Sequence, residues 1–238
     1  MKIKITLAFI GLIFISACND FEELNINPNE PTTVSTGVLF TSALRTSVLT
    51  TSNEAFLLSN NIAQLTAKTL RAEVDFYGWN AFPTVWEGLY ESLTDLQSLI
   101  GIAELDNNDQ MIGVAMVLQA WIFSELTNAY GDIPYSEAIG GDTSVFTPKY
   151  DTQEFIYGDL LKKLDQAIVK INGSGTIYGD ILYQGNGTNW VKFANSMKLR
   201  LLMYSSNKND VSSSFSAIVN EGLVFKSNED HAILNFLN

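Results

Sequence analysis

The sequence predicts a mainly α-helical protein built from paired helices. Two observations carry this. Apolar residues recur at alternating intervals of three and four, which places them on one buried helix face. The windows that show this are separated by short polar or glycine-rich breaks, which turn one helix back along the last. The stretch after Pro83 displays both. Trp86, Leu89, Leu93, Leu96, Ile100 and Ala103 are spaced three, four, three, four, three, and Asp106-Asn107-Asn108-Asp109 then interrupts the pattern.

The chain opens on a different signal. Met1-Lys2-Ile3-Lys4 is basic, Ile5 to Ile15 is an apolar run, and Ile15-Ser16-Ala17-Cys18 ends it on the only cysteine. A charged start and an apolar core too short for a stable span describe a secretory signal peptide over residues 1–17. Small residues directly before a cysteine resemble a bacterial lipobox, which would make Cys18 the acylated N-terminus. The alternative is an ordinary signal peptide with an incidental cysteine. One acyl chain anchors only marginally, so the lipobox resemblance implies multiple acylation of Cys18. Residues 18–36, with Pro28 and Pro31 among polar and acidic neighbours, read as a lipidated tether.

Residues 37–238 then read as helices in succession. Thr36 caps a first helix over about 37–49, and a second spans about 53–70, with a mixed stripe of Phe56, Leu57, Ile62, Ala63, Leu65 and Leu70. The third starts near Thr84. The fourth follows the Asp106–Asp109 break and presents Met111, Val114, Ala115, Leu118, Ile122, Leu126 and Ala129. Asp151 or Thr152 caps a fifth, with Ile156, Leu160, Leu164, Ala167, Ile168 and Ile171 on its face. Residues 173–188 form a glycine-rich loop, with a short extended piece at 181–183. A sixth helix covers about 189–205, with Trp190, Phe193, Ala194, Met197, Leu201 and Tyr204 on one side. A seventh runs from about 212 to 221, where Gly222 is a stop signal. The apolar end, 232–237, reads as a strand or the start of a further element. Two hairpins, 84–129 and 152–205, suggest paired-helix repeats. Trp86 and Leu89 have the W-x-x-L spacing of tetratricopeptide repeats, although the rest of that signature does not follow, and an irregular bundle is the alternative.

Composition excludes some roles. The formal charge is −12, and removal of residues 1–17 takes away Lys2 and Lys4 and no acid, leaving −14. Such a chain is a poor partner for nucleic acid, whose affinity comes mostly from Lys and Arg on phosphates. It is also repelled by an anionic membrane surface. A lone cysteine excludes a disulfide framework. No later segment offers eighteen continuous apolar residues.

Two segments carry a family likeness. Ala129-Tyr130-Gly131-Asp132-Ile133-Pro134-Tyr135-Ser136-Glu137-Ala138 and Trp190-Val191-Lys192-Phe193-Ala194-Asn195-Ser196-Met197-Lys198-Leu199-Arg200-Leu201 resemble hallmarks of the SusD/RagB-like lipoproteins of Bacteroidetes. Leu24-Asn25-Ile26-Asn27-Pro28-Asn29 and Pro148-Lys149-Tyr150-Asp151 fit as well, in the family's order. The resemblance implies a tetratricopeptide-like helix-pair scaffold with irregular loops, of which this chain is an incomplete N-terminal half, since family members are roughly twice as long. It further implies an outer-membrane lipoprotein, held by its lipid and facing outward. Such a protein captures oligosaccharides, or in some branches peptides, for a SusC-like TonB-dependent transporter, with no cofactor and no chemistry on the ligand. Asp20, Glu22 and Glu23 resemble a surface-export signal.

The residues support binding over catalysis. His231 is the only histidine, no G-x-S-x-G elbow occurs, and zinc clusters of cysteine and histidine are absent. Converging carboxylates would leave an exported glycoside hydrolase as the alternative. Asp75, Glu87 and Asp95 read as a solvated face. Asp106–Asp109 offers oxygen ligands but lacks the glycine and distal glutamate of a calcium loop, and helix capping is its expected use. Asp75-Phe76-Tyr77-Gly78-Trp79-Asn80-Ala81-Phe82 is dense in rings and lies between helices. Flat rings stack on the apolar faces of sugars while polar groups take the hydroxyls, so Tyr77 and Trp79, with Asp75 and Asn80 as polar partners, are the candidate ligand site. The competing use of these rings is packing on the helix at Thr84. Trp86, Trp121 and Trp190 are expected in the core. Gly131, Asp132 and Pro134 suit a tight helix exit. Arg200 needs a carboxylate, for which Asp132 and Asp180 are candidates.

Overall fold

In a computed structural model, residues 34–70, 74–78, 83–140 and 145–235 are described. The signal peptide, Cys18 and almost all of the tether lie outside them, as do Trp79, Asn80 and the last three residues. The segment from Ser35 onward forms one compact unit.

Helix α1 spans Thr36–Glu54, and Ser35 rather than Thr36 caps it, its hydroxyl accepting from the Val38 amide at 3.4 Å. Neither glycine nor proline interrupts residues 38–62, and the helix runs on through the expected break at Asn53. It widens into a π-helical turn at Ala55–Ser59 and ends with one α-turn at Asn60–Ile62. The carbonyls that the wide turn frees are taken locally. Asn61 Nδ2 donates to Phe56 O at 3.2 Å and Leu57 O at 3.3 Å, and Lys68 Nζ donates to Leu57 O at 2.6 Å. The expected second helix to residue 70 is therefore absent. Gln64, at φ 57°, closes the helix by a Schellman pattern, in which the amides of Leu65 and Gln64 bond Asn60 O and Asn61 O. Leu65 and Leu70, which suggested a buried stripe, are exposed.

The remaining helices follow the spacing. α2 is Pro83–Leu105, with Leu89, Leu93, Leu96, Leu99 and Ala103 buried. α3 is Asp109–Tyr130, capped by Asn108, whose side chain accepts from the Met111 amide at 3.1 Å. α4 is Gln153–Ile171, capped by Thr152. α5 is Gly187–Ser205, capped by Asn186. α6 is Ser212–Glu221, ended by Gly222 in the left-handed region at φ 75°. Each helix packs on the next in sequence. The most extensive contacts are α1 on α2 and α3 on α4, so the helix pairs are offset by one from the hairpins that the polar breaks suggested.

α3 is the hub. It touches α1, α2, α4 and α5 and is buried on nearly all sides, including Gly113, Gln119 and Ala120. It is long and apolar enough to cross a bilayer, and its apolarity is spent inside the bundle. Gly113 sets its approach to α4: a Cβ there would lie 2.7 Å from Ile171 N and 2.8 Å from Ala167 O. Gly113→Ala is expected to destabilise by about 2 kcal/mol through overpacking against backbone, lowering Tm by about 6 °C in a thermal melt.

Two short strands cross the end of the bundle. β1 (Ile133–Pro134) pairs antiparallel with β2 (Tyr150–Asp151), Ile133 opposite Asp151. The expected extended piece at 181–183 is a turn, because Asp180 gathers its amides. That carboxylate accepts from Leu182 N and Tyr183 N at 3.0 Å, Gly185 N at 2.9 Å and the Trp190 indole at 2.8 Å. Trp190 itself is fully buried against Phe40, Tyr183 and Phe193.

Candidate functional site

Several hollows surround the end of α1 where the π-helical turn lies. Such turns are rare and recur at functional sites. On one side, Asn61, Gln64, Leu65, Thr66, Val74, Asp75 and Tyr77 line a hollow of about 410 Å³. Asp75 and Tyr77, two of the four candidate site residues, therefore share one concavity. Tyr77 is 72% exposed. Its backbone is left-handed at φ 58°, uncommon for a bulky residue and worth about 1 kcal/mol of strain. Trp79 and Asn80 lie outside the described residues.

On another side, α1, α2 and α3 enclose a groove of about 890 Å³. Trp121, Glu125 and Asn128, at intervals of four and three on α3, face it with Tyr130, while Thr51, Ser52, Glu54 and Ser59 close it from α1 and the π-turn. Of the tryptophans expected in the core, Trp190 is there; Trp86 and Trp121 are only partly buried and pack on its margin. The helical interval of Trp121, Glu125 and Asn128 was the signal that could have marked this groove, but on an apolar helix it reads as interior. Trp86 packs edge-on to Tyr130, with centroids 5.1 Å apart, and so fixes the ring at the groove's rim.

The two hallmark segments build the wall behind this groove. Gly131 ends α3 at φ 78° and ψ −121°, its amide bonded to Thr127 O at 2.9 Å. Asp132 accepts from the Gln153 amide at 3.0 Å and so caps α4, while Tyr90 OH donates to Pro134 O at 2.6 Å. Tyr135 OH donates to Asp159 at 2.6 Å. Burial, and then this carboxylate, raise its phenol far above the usual range. Arg200 pairs with neither Asp132 nor Asp180, both of which are occupied by backbone amides. Its partner is Glu125 at 2.8 Å, with Tyr204 OH accepting from Nε at 3.0 Å. This links α5 to the groove side of α3, and Tyr157 OH donates to Asn128 beside it.

The C-terminal clasp is ionic. Lys192 pairs with Asp230 at 2.5 Å, and Asp230 also accepts from the amides of Lys226 and Ser227 at 2.8 and 3.3 Å. The Lys192 ammonium, followed by the Lys226 amide, holds the Asp230 carboxyl down at about 2. A depressed carboxyl stabilises above its unfolded value of about 4 and loses that contribution as pH falls toward 2. Protection of the Lys226–Asp230 amides in hydrogen exchange is therefore expected to hold from neutral pH to about 4 and to fall below it.

Two carboxylates, Glu54 and Glu125, line the groove, and Glu125 is engaged by Arg200 at 2.8 Å. His231 is exposed, its Nε2 3.1 Å from Asn228 Oδ1. No group of three potential metal-ligating side chains occurs among the described residues. Asn108, from the candidate calcium stretch, instead caps α3 and ties the 173–176 loop, donating to Thr176 O at 2.9 Å and accepting from Thr176 N at 3.1 Å.

Comparison with known proteins places the architecture. The profile of the SusD-like family described as "Starch-binding associating with outer membrane" matches residues 28–238. The chain belongs to the SusD-like family. Among solved structures, it is similar to a chitin-binding protein, with 28% identity and a TM-score of 0.70 over 83% of this chain and 45% of that one. A SusD homologue from Bacteroides fragilis matches with 26% identity and a TM-score of 0.69, over 87% of this chain and 44% of that one. A SusD-like protein from Bacteroidetes matches with 25% identity and a TM-score of 0.70, over 86% and 40%. The chain thus spans less than half the length of these relatives. The comparison with curated proteins gives no match. In this SusD-like chain, the Gly131–Pro134 exit and the Arg200–Glu125 pair are parts of the scaffold that present the hollows at the end of α1.

Proposed function

We propose that this chain is part of a cell-surface lipoprotein, anchored through Cys18 after removal of residues 1–17. It captures oligosaccharides at the end of α1 and delivers them to a SusC-like TonB-dependent transporter in the outer membrane, without chemistry on the ligand. The observation that carries this reading is the presence of Tyr77 and Asp75 at one hollow, which Gln64 and Thr66 also line. An exposed flat ring beside hydrogen-bonding groups is what a sugar needs, since its ring has an apolar face and a polar edge. Trp79 and Asn80, two and three residues further on, are proposed contacts of the same ligand. The family's starch-binding description and the likeness to a chitin-binding protein support a glycan over a peptide.

The partner half of the proposal is tested in membranes. The affinity-tagged full-length protein, solubilised from its own outer membrane, is expected to bring down a large β-barrel transporter. The Cys18→Ser variant is expected to leave the membrane fraction. Recovery of the protein without a barrel, or an unchanged membrane fraction for Cys18→Ser, would remove the transporter or the anchor from the account.

A further inference from the structure

A hollow of about 360 Å³ lies on α4, α5 and the residues that follow α6, none of which lines the hollows at the end of α1. Its walls belong to one continuous described stretch, 145–235. Ile168, Val191 and Leu223 give it apolar surface, and Asn172, Thr188 and Glu221 bring an amide, a hydroxyl and a carboxylate to it. Its lining cation, Lys198, pairs with Asp165 at 2.5 Å, so neither calls for a charged ligand.

Asn195 is the residue that points to a ligand. It belongs to the second hallmark segment, lines the hollow and is only 2% exposed. Its Nδ2 donates to Leu223 O at 3.0 Å. A carbonyl can only accept, so this bond fixes which end of the amide is nitrogen. The other end, Oδ1, is buried, and among the described residues no group donates to it. Its neighbour Ser196 accepts from Phe225 N at 2.9 Å. Residues 223–225 are thus seated on α5 by Ser196 and by one half of Asn195, and the other half is left over. A buried acceptor without a donor costs free energy, which a ligand that donates to it returns. The χ2 torsion of asparagine is soft, so Oδ1 can turn to a donor in the hollow while Nδ2 keeps the Leu223 carbonyl.

The matching ligand brings a hydroxyl to donate and an apolar face to lie on Ile168 and Leu223. An anion brings acceptors alone and meets Glu221. The volume is at the small end for ligand sites and suits one sugar ring rather than a chain. We propose, taking the class of ligand from the glycan reading above, that this hollow is a second sugar site. It holds one neutral sugar residue through a hydroxyl donated to Asn195 Oδ1. No aromatic ring lines it among the described residues, so it is the weaker of the two sites.

The test is nuclear magnetic resonance on the isotope-labelled full chain, following the Asn195 side-chain amide and the Thr188 backbone amide. The probes are maltotriose and, separately, triacetylchitotriose. Saturable shifts of both signals by one of the two sugars are expected, and they are expected to persist in Tyr77→Gly. Asn195→Leu is expected to abolish the response at Thr188, but it also releases the Leu223 carbonyl. Val169→Arg leaves that bond intact. Val169 lines the hollow and is 72% exposed, so a long side chain there obstructs the entrance without entering the core. It is expected to weaken the affinity read from these signals by about tenfold, with an unchanged Tm. Signals that neither sugar moves while both still bind elsewhere, shifts that vanish in Tyr77→Gly, or an affinity unchanged by Val169→Arg would overturn the second site and leave capture at the end of α1 standing. A bound water that keeps its contact with the Asn195 side chain at saturating sugar would do the same. Failure of the unaltered protein to bind either sugar anywhere would overturn both.

Discussion

Asp180→Ala is expected to lower the stability of the chain by about 4 kcal/mol, a large share of the margin of any domain. The carboxylate is nearly buried and accepts from three backbone amides and one indole, at 2.8–3.0 Å. Alanine leaves all four donors without an acceptor in a site that water reaches poorly, and each buried unmet donor costs about 1–3 kcal/mol before relaxation. The consequences spread. The 181–185 turn loses its shape, and Trp190, the largest fully buried side chain, loses the bond that fixes its ring against Phe40. Asp180→Asn separates the contributions. Its single oxygen still serves one pair of donors, but its amide nitrogen then faces the other pair, and about half the loss is expected. Trp190→Phe removes one donor only, and beside Asp180→Ala its added cost in a double-mutant cycle is expected to be smaller than alone. Denaturant titration measures all of these. A loss under about 1 kcal/mol for Asp180→Ala would show that the turn does not depend on this carboxylate.

The second large effect is on binding. Tyr77→Gly is expected to weaken oligosaccharide affinity about tenfold, equivalent to about 1.4 kcal/mol and within the range of a well-placed ring contact. Glycine is the informative replacement because Tyr77 sits at φ 58°, where a side chain is strained and glycine is not. Stability is therefore expected to hold, or to rise by up to about 1 kcal/mol, while the ring is lost. A residue serving only the fold would show the reverse. Its replacement would lower Tm and leave affinity unchanged wherever the protein remained folded.

Most of the scaffold could be read from residue order, and the exceptions have physical causes. α2 to α5 were legible because their three-and-four spacing is spent on the core: Leu89, Leu93 and Leu96 on α2, and Ile156, Leu160 and Leu164 on α4, are all buried. The end of α1 was not, because Ile62 and Leu65 keep a helical interval while lying exposed, and because the helix is closed by Gln64 rather than by a glycine. The partner of Arg200 was misassigned because sequence cannot show that Asp132 and Asp180 are already engaged by backbone amides. Local caps, by contrast, are a matter of neighbours, and Asn108, Thr152 and Gly222 stand where capping chemistry put them.

The candidate site was partly legible for similar reasons. The density of rings at residues 76–82 drew attention to this loop, and of its candidate residues Asp75 and Tyr77 share a hollow. The larger groove escaped notice because its floor belongs to α3, the most apolar helix of the bundle. Trp121, Glu125 and Asn128 there look like one more buried face with two polar interruptions. Only the packing of α1 and α2 against that face shows that it stays open.

Capture of sugar at the end of α1 is the claim on which the functional account depends. Isothermal titration of the full chain with a neutral oligosaccharide, repeated with Tyr77→Gly at matched folded fraction, tests it most directly. The account predicts saturable binding by the unaltered protein and about tenfold weaker binding by the variant, with an unchanged or higher Tm. Absence of saturable binding to any neutral oligosaccharide, or equal affinities for the two proteins, would contradict it.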